Sequence, residues 1–166
     1  MKKTILSTLT YLLIFAMIYG VVNWYRAPTM PNAPSLSYVN SQNQTIDVVA
    51  HSHHEPILIY FWGTWCAICE FTTPNIQTLH TNGTPIITVA VQSDSTEQLI
   101  HHMQSHGYDF MTINDLDGSI FNEWQGKVTP SFVILKDGKI SQRFTGIAPL
   151  WSLKLRLLLS SLSSFS

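Results

Sequence analysis

The chain has 166 residues, 45% hydrophobic and only 11% charged, far below the roughly 25% charge of an ordinary soluble domain, so part of it is not built for water. Residues 27–166 hold six Lys/Arg against ten Asp/Glu, a formal −4 with the histidines neutral, which leaves no basic footprint for nucleic acid. That stretch is the size of one domain with one core, and no internal repeat divides it.

Lys2 and Lys3 precede Ile5–Val22, 18 residues without a charge. As a helix this run measures about 27 Å, close to the hydrocarbon thickness of a bilayer. Trp24 and Tyr25 fall where an interfacial aromatic belt would lie, and the lysines with the amino terminus outnumber Arg26, which keeps that end cytoplasmic. Residues 1–26 are therefore expected to be a transmembrane signal anchor that crosses through residues 5–22. A cleaved secretory signal is the rival reading, but its small-x-small cleavage pair is missing, since Ile18 precedes Gly20 and Tyr25 precedes Ala27. Either way the remainder is exported to a compartment where disulfides form and persist.

Residues 27–35, with Pro28, Pro31 and Pro34, read as an extended tether, and residues 36–166 as the domain. Leu36–Val39 and Thr45–Val49 are short β-prone runs on either side of Asn40–Asn43, a small hairpin at the front. Ile57–Trp62 is apolar without alternation, as a strand buried on both faces should be. Cys66–Thr81 is a predicted helix interrupted by Pro74. Pro85–Val91 is a second buried strand, and Ser95 opens a helix to Ser105 that Gly107 closes. Phe110–Ile113 reads as a short strand, followed by an Asp117-Gly118 turn and a short helix over Ser119–Gln125. Phe132–Leu135 and Lys139–Phe144 flank Asp137-Gly138, a strong hairpin signal. Pro149–Leu162 puts Trp151, Leu155, Leu158 and Leu162 at helical spacing, which predicts a docking helix, with a membrane-surface role as the alternative.

The chain's two cysteines stand three residues apart in Trp62-Gly63-Thr64-Trp65-Cys66-Ala67-Ile68-Cys69, directly after a predicted strand. On the first turn of a helix they share a face, within the roughly 5.5 Å Cα separation of a disulfide. Unpaired N–H groups and the positive end of the helix dipole favour the Cys66 thiolate. Thiol-disulfide exchange suits that geometry. A permanent disulfide or half of a zinc site is the plainer alternative, although no second CxxC or spaced His pair completes a zinc set beside it. His51, His53 and His54 cluster before the first long strand, and His102 and His106 stand four apart on a predicted helix, a spacing able to chelate copper or zinc. Surface histidines are the simpler account of both groups.

The order strand, Trp-Cys-x-x-Cys helix, strand, helix, strand, helix, then Val128-Thr129-Pro130 before a hairpin and a last helix resembles the thioredoxin fold. Pro74 falls five positions after Cys69, where thioredoxins carry a helix-kinking proline, and Thr129-Pro130 occupies the place of the family's cis-proline. The 64-residue gap between Cys66 and Pro130 leaves room for an extra strand and helix, as in the membrane-tethered periplasmic branch. Phe61-Trp62-Gly63-Thr64-Trp65-Cys66, Val128-Thr129-Pro130-Ser131-Phe132-Val133-Ile134 and the Leu-rich basic tail are most similar to the membrane-anchored protein of the suppressor-of-copper-sensitivity group.

The resemblance implies a thioredoxin-like α/β domain: a central mixed sheet flanked by helices, with an N-terminal β-hairpin extension, an extra strand-helix insert and one preceding transmembrane helix. It further implies a protein disulfide oxidoreductase of the bacterial inner membrane with its domain in the periplasm. Cys66 and Cys69 would be catalytic, and Trp65, Thr129 and Pro130 would bind clients. No cofactor is implied beyond the redox-active Cys66–Cys69 disulfide, and no metal. The partners would be periplasmic proteins bearing thiols or disulfides, and a membrane redox partner. A copper-binding chaperone that uses the cysteine pair and a histidine is the alternative. Two departures stand out: Tyr60 occupies the position of the family's buried carboxylate, and Ala67-Ile68 lacks the positive charge of strong oxidants.

Overall fold

The computed structural model describes residues 2–31, 37–39 and 45–162. The expected loop Asn40–Asn43, Leu36, the tether residues 32–35 and residues 163–166 lie outside the described residues. In chain order the elements are α1 (Lys2–Arg26), β1 (Ser37–Val39), β2 (Thr45–Asp47), α2 (Val48–Ser52), β3 (Ile57–Trp62) and α3 (Ala67–Thr81). Then come β4 (Ile86–Val91), α4 (Thr96–Ser105), β5 (Thr112–Asp115), α5 (Ser119–Glu123), β6 (Ser131–Lys136), β7 (Lys139–Thr145) and α6 (Leu150–Leu162).

β3 lies at the centre of a five-stranded sheet of order β5-β4-β3-β6-β7. It pairs parallel with β4 and antiparallel with β6, and all six of its residues are buried, which is why its sequence shows no polar alternation. The pleat sends successive side chains to opposite faces. Leu58, Tyr60 and Trp62 join a core under α3, α4 and α6. Ile57, Ile59 and Phe61 join a second core with Val48 and Trp124, flanked by Ile120 and Phe121 of α5. β1 and β2 form a separate antiparallel pair. This is the thioredoxin-like α/β fold expected from the motif order, with a candidate membrane span in its N-terminal helix, Leu6–Arg26.

Four local expectations are corrected. The second front strand stops at Asp47 rather than Val49, because the Asp47 carboxylate accepts the Ala50 N–H at 2.9 Å and starts α2. β5 begins at Thr112 rather than Phe110, since its bounds follow pairing with Thr88–Val91 of β4, and Phe110 instead packs edge-on against Trp62 at 6.1 Å. α6 does dock, but through the opposite stripe. Leu153 and Ser160 are buried, and Leu150 and Leu157 are packed against the core, while Trp151, Leu155, Leu158 and Leu162 face outward. Hydrogen bonds from Ser141 and Gln142 of β7 to Ser160, 2.9 and 3.1 Å, fix that rotation.

The fourth concerns the start of the tether, which lies flush against the domain. Ala27 and Pro28 are buried, the Thr29 N–H bonds the Trp124 carbonyl at 2.7 Å, and Arg143 reaches the Pro28 carbonyl at 3.3 Å. The Asn23 side chain of α1 accepts the Thr145 N–H of β7 at 2.9 Å. These backbone groups are thus paired within the fold rather than solvated as in a free spacer.

Candidate active site

Trp62 ends β3, and the four residues after it turn the chain into α3. Gly63 is required there: a Cβ would stand 2.7 Å from Trp65 Nε1 and 2.8 Å from its Cε2, so only glycine lets the indole lie across the turn. That indole donates to the Val91 carbonyl at 2.9 Å while the residue stays 59% exposed. The Thr64 N–H donates to Ser93 Oγ at 3.1 Å. The turn is therefore pinned to the end of β4 before the helix begins.

Cys66 is the N-cap of α3, with extended backbone, and its Sγ accepts the Cys69 N–H at 3.3 Å. A cap normally supplies an oxygen to one of the orphan donors of the first turn; here sulfur takes that place. Cys66 and Cys69 form a disulfide with a Cα separation of 5.2 Å. Both are buried, Cys66 at 6% exposed and Cys69 at 2%, so Cys66 is the slightly more open residue of the pair. Trp65, Ile68 and Phe71 make an exposed apolar rim around them.

The antiparallel register sets Phe61 opposite Ser131, which carries Thr129 and Pro130 to the sheet end from which Gly63–Cys66 departs. The Thr129–Pro130 peptide is cis. Pro130 is buried, Thr129 half-buried, and the Pro130 carbonyl accepts the Gly146 N–H at 2.9 Å.

Behind Cys69 the fold is polar. Tyr60 bonds Thr73 Oγ1 at 3.0 Å, and Thr73 donates to the Cys69 carbonyl at 2.8 Å. Burial pushes the Tyr60 phenol far up, against a smaller lowering by the Thr73 bond. Beside Cys69 opens a cavity of about 240 Å³ whose walls include Glu70, His102, His106 and Tyr108. Burial, and then the neighbouring His106, holds the His102 imidazole below its ordinary range, with Glu70 and Asp94 acting the other way. Their spacing made His102 and His106 able to chelate, with surface histidines as the simpler account. Among the described residues, however, no three His, Cys, Asp or Glu side chains converge as a metal set, and the two imidazoles stack on each other at 4.3 Å. Ser93 and Tyr108 carried no sequence signal, because each reaches the site through tertiary folding, while Thr73 sits one turn after Cys69 on α3 and bonds its carbonyl locally.

The central strand, the capping cysteine and the antiparallel second half of the sheet define a thioredoxin-like disulfide oxidoreductase. More narrowly, the chain belongs to the Redoxin family, whose sequence model matches residues 28–151. It is 32% identical to a thioredoxin-like protein of Haemophilus influenzae over 94% of each chain. It is 29% identical to the thiol-disulfide oxidoreductase ResA of Bacillus subtilis over 54% of this chain, spanning 52% of ResA. The crystal structure of StoA from Bacillus subtilis superposes with a TM-score of 0.66 at 17% identity, covering 76% of this chain and 98% of StoA.

Proposed function

We propose that the chain is a membrane-tethered thiol-disulfide exchanger acting on exported proteins, with Cys66 as the attacking sulfur and Cys69 as the resolving one, and that it works as a reductant. The observation that carries this reading is the Cys66 sulfur at the N-cap of α3, the more exposed of the two and the acceptor of the Cys69 N–H. Orphan helix-end donors and the dipole stabilise a thiolate there.

In the reduced form the Cys66 thiolate attacks a client disulfide, forming a Cys66–client disulfide and releasing the client's other sulfur as thiolate. Cys69, deprotonated, then attacks the Cys66 sulfur and expels the second client sulfur, leaving the client reduced by two electrons and the cysteine pair oxidised. Thr129 is held extended ahead of Pro130 and supplies backbone N–H and C=O for a client segment added as a strand, with the exposed Trp65 ring next to Cys66 as a further client contact. α1 supports the placement: an apolar helix with Trp24 and Tyr25 at its end suits a single-pass anchor in the bacterial inner membrane, with the domain in the periplasm. A membrane redox partner then returns electrons to the pair.

Cys66→Ser is expected to abolish exchange, and Cys69→Ala to accumulate Cys66–client adducts that survive until a reductant is added. Alkylation of thiols in intact cells should find the pair mostly reduced. An active Cys66→Ser protein overturns the assignment, and a pair found oxidised at steady state reverses the direction.

A further inference from the structure

Resolution of the mixed disulfide needs the Cys69 thiol to lose its proton inside the fold, because the thiolate, not the thiol, is the nucleophile. Cys69 is almost fully buried. Its polar neighbours toward the sheet do not accept that proton: the Tyr60 phenol stays protonated, and the Thr73 hydroxyl is committed to the Cys69 carbonyl. The open side is the cavity beside Cys69, where Glu70 approaches from α3 and His102 and His106 from α4, with Tyr108 just beyond that helix. At about 30 Å³ per water its 240 Å³ admits several waters.

These groups differ as proton acceptors. Glu70 is exposed, its carboxylate hydrated by bulk solvent. The Tyr108 phenol is pushed up, first by burial and then by Glu70, so it stays protonated. His106 is exposed and its Nδ1 lies against the His102 carbonyl at 2.8 Å. His102 is half-buried, its ring set between Trp62 at 5.9 Å and His106 at 4.3 Å.

From this arrangement we propose that His102 accepts the Cys69 proton through water in the cavity during the resolving step. The inference rests on the exchange roles of Cys66 and Cys69 given above. The proton leaves Cys69 Sγ through the water chain and arrives on an imidazole nitrogen of His102. The Cys69 thiolate forms the S–S bond to Cys66 as the Cys66–client S–S bond breaks, and the client sulfur leaves as thiolate and takes a proton from solvent. His102 then returns its proton to solvent through the open mouth of the cavity. Among the charged and titratable groups facing His102, Glu70 and Asp94 stabilise the imidazolium and His106 opposes it. The burial that keeps His102 neutral beforehand leaves it ready to accept.

The test uses the full reduced chain in detergent and an aromatic disulfide that releases a coloured thiolate at each of two steps. The first release reports attack by Cys66, and the second reports resolution by Cys69. In the wild type the second phase should rise with pH along an imidazole-like inflection. His102→Gln should slow that phase roughly tenfold to a hundredfold at neutral pH, remove the inflection and converge on the wild type at high pH, with the first phase unchanged. His102→Phe, which keeps a ring against Trp62, should behave alike, whereas His106→Gln should keep the inflection but move it to higher pH, because His106 opposes the His102 imidazolium. A His102→Gln protein with the wild-type pH profile, or one slowed equally in both phases, overturns the proposal. Failure of the exchange roles themselves would show differently, as a first phase that persists in Cys66→Ser.

Discussion

The two faces of β3 carry the same number of large side chains but opposite chemistry. On the face under α3, α4 and α6 the aromatic residues use their polar atoms. Tyr60 bonds Thr73 at 3.0 Å, and Trp62 donates to Thr88 at 3.3 Å, which in turn meets Thr112 at 2.8 Å. On the other face Ile57, Ile59 and Phe61 pack in an apolar cluster, with Phe61 tilted against Phe121 at 5.3 Å and Trp124 at 5.8 Å. The redox pair and its cavity lie on the first face. A dry, close-packed face tolerates no opening, whereas a hydrogen-bonded face can border a wet cavity without leaving buried polar groups unpaired. The difference teaches that stability and chemistry are divided between alternate residues of one strand.

The sharpest way to break this division is to truncate a matched pair. Phe61→Ala should destabilise the protein by about 3–5 kcal/mol, the cost of an aromatic-sized hole in a dry core, seen as a lower urea midpoint for the full chain in detergent. Next in size, Tyr60→Phe keeps the ring stacked on Phe132 at 5.1 Å and removes only the hydroxyl. Thr73 keeps its bond to Cys69, so the loss should be about 1 kcal/mol. Comparable losses from the two substitutions would show that the polar network on the redox face carries as much stability as the apolar packing opposite.

Much of this division could be read from the residues. The unbroken apolar run Ile57–Trp62 identified the central strand, because burial on both faces leaves no polar positions. Ser95, Gly107 and Asp137-Gly138 marked their elements through local backbone chemistry: a capping box with Gln98, and positive φ at Gly107, Asp137 and Gly138. The cysteine spacing and Thr129-Pro130 marked the candidate site, and the fold carries both to one end of the sheet. What stayed hidden depends on partners distant in sequence. α6 carries two apolar stripes, and its bonds to β7 together with the core packing of Leu153 set which one turns inward. The edges of β5 follow pairing, not hydrophobicity. The cavity beside Cys69 joins Glu70 of α3 to His102 near the end of α4, a meeting that the spacing of residues along either helix does not show.

The smallest effect comes from the far side, where α5 meets the dry face. Asp115 is 2% exposed and accepts the N–H groups of Ile120 at 3.1 Å and Phe121 at 2.9 Å. Burial raises its carboxyl above the ordinary range, the two backbone bonds pull it back, and Asp117 and Glu123 add to the rise. For a carboxyl raised on folding, its contribution to stability is fully present below the unfolded aspartate range, near pH ~3.9, and is lost as pH climbs through the raised value. Asp115→Asn does not titrate, and it also removes the repulsion Asp115 shares with Asp117 and Glu123, which acts in the same direction. The stability of the wild type minus that of Asp115→Asn should therefore fall as pH rises from about 3.5 to 7, measured by urea unfolding at each pH. A difference that grew with pH would mean that the Ile120 and Phe121 bonds outweigh burial, and that even the dry face holds a carboxylate as a stabilising charge.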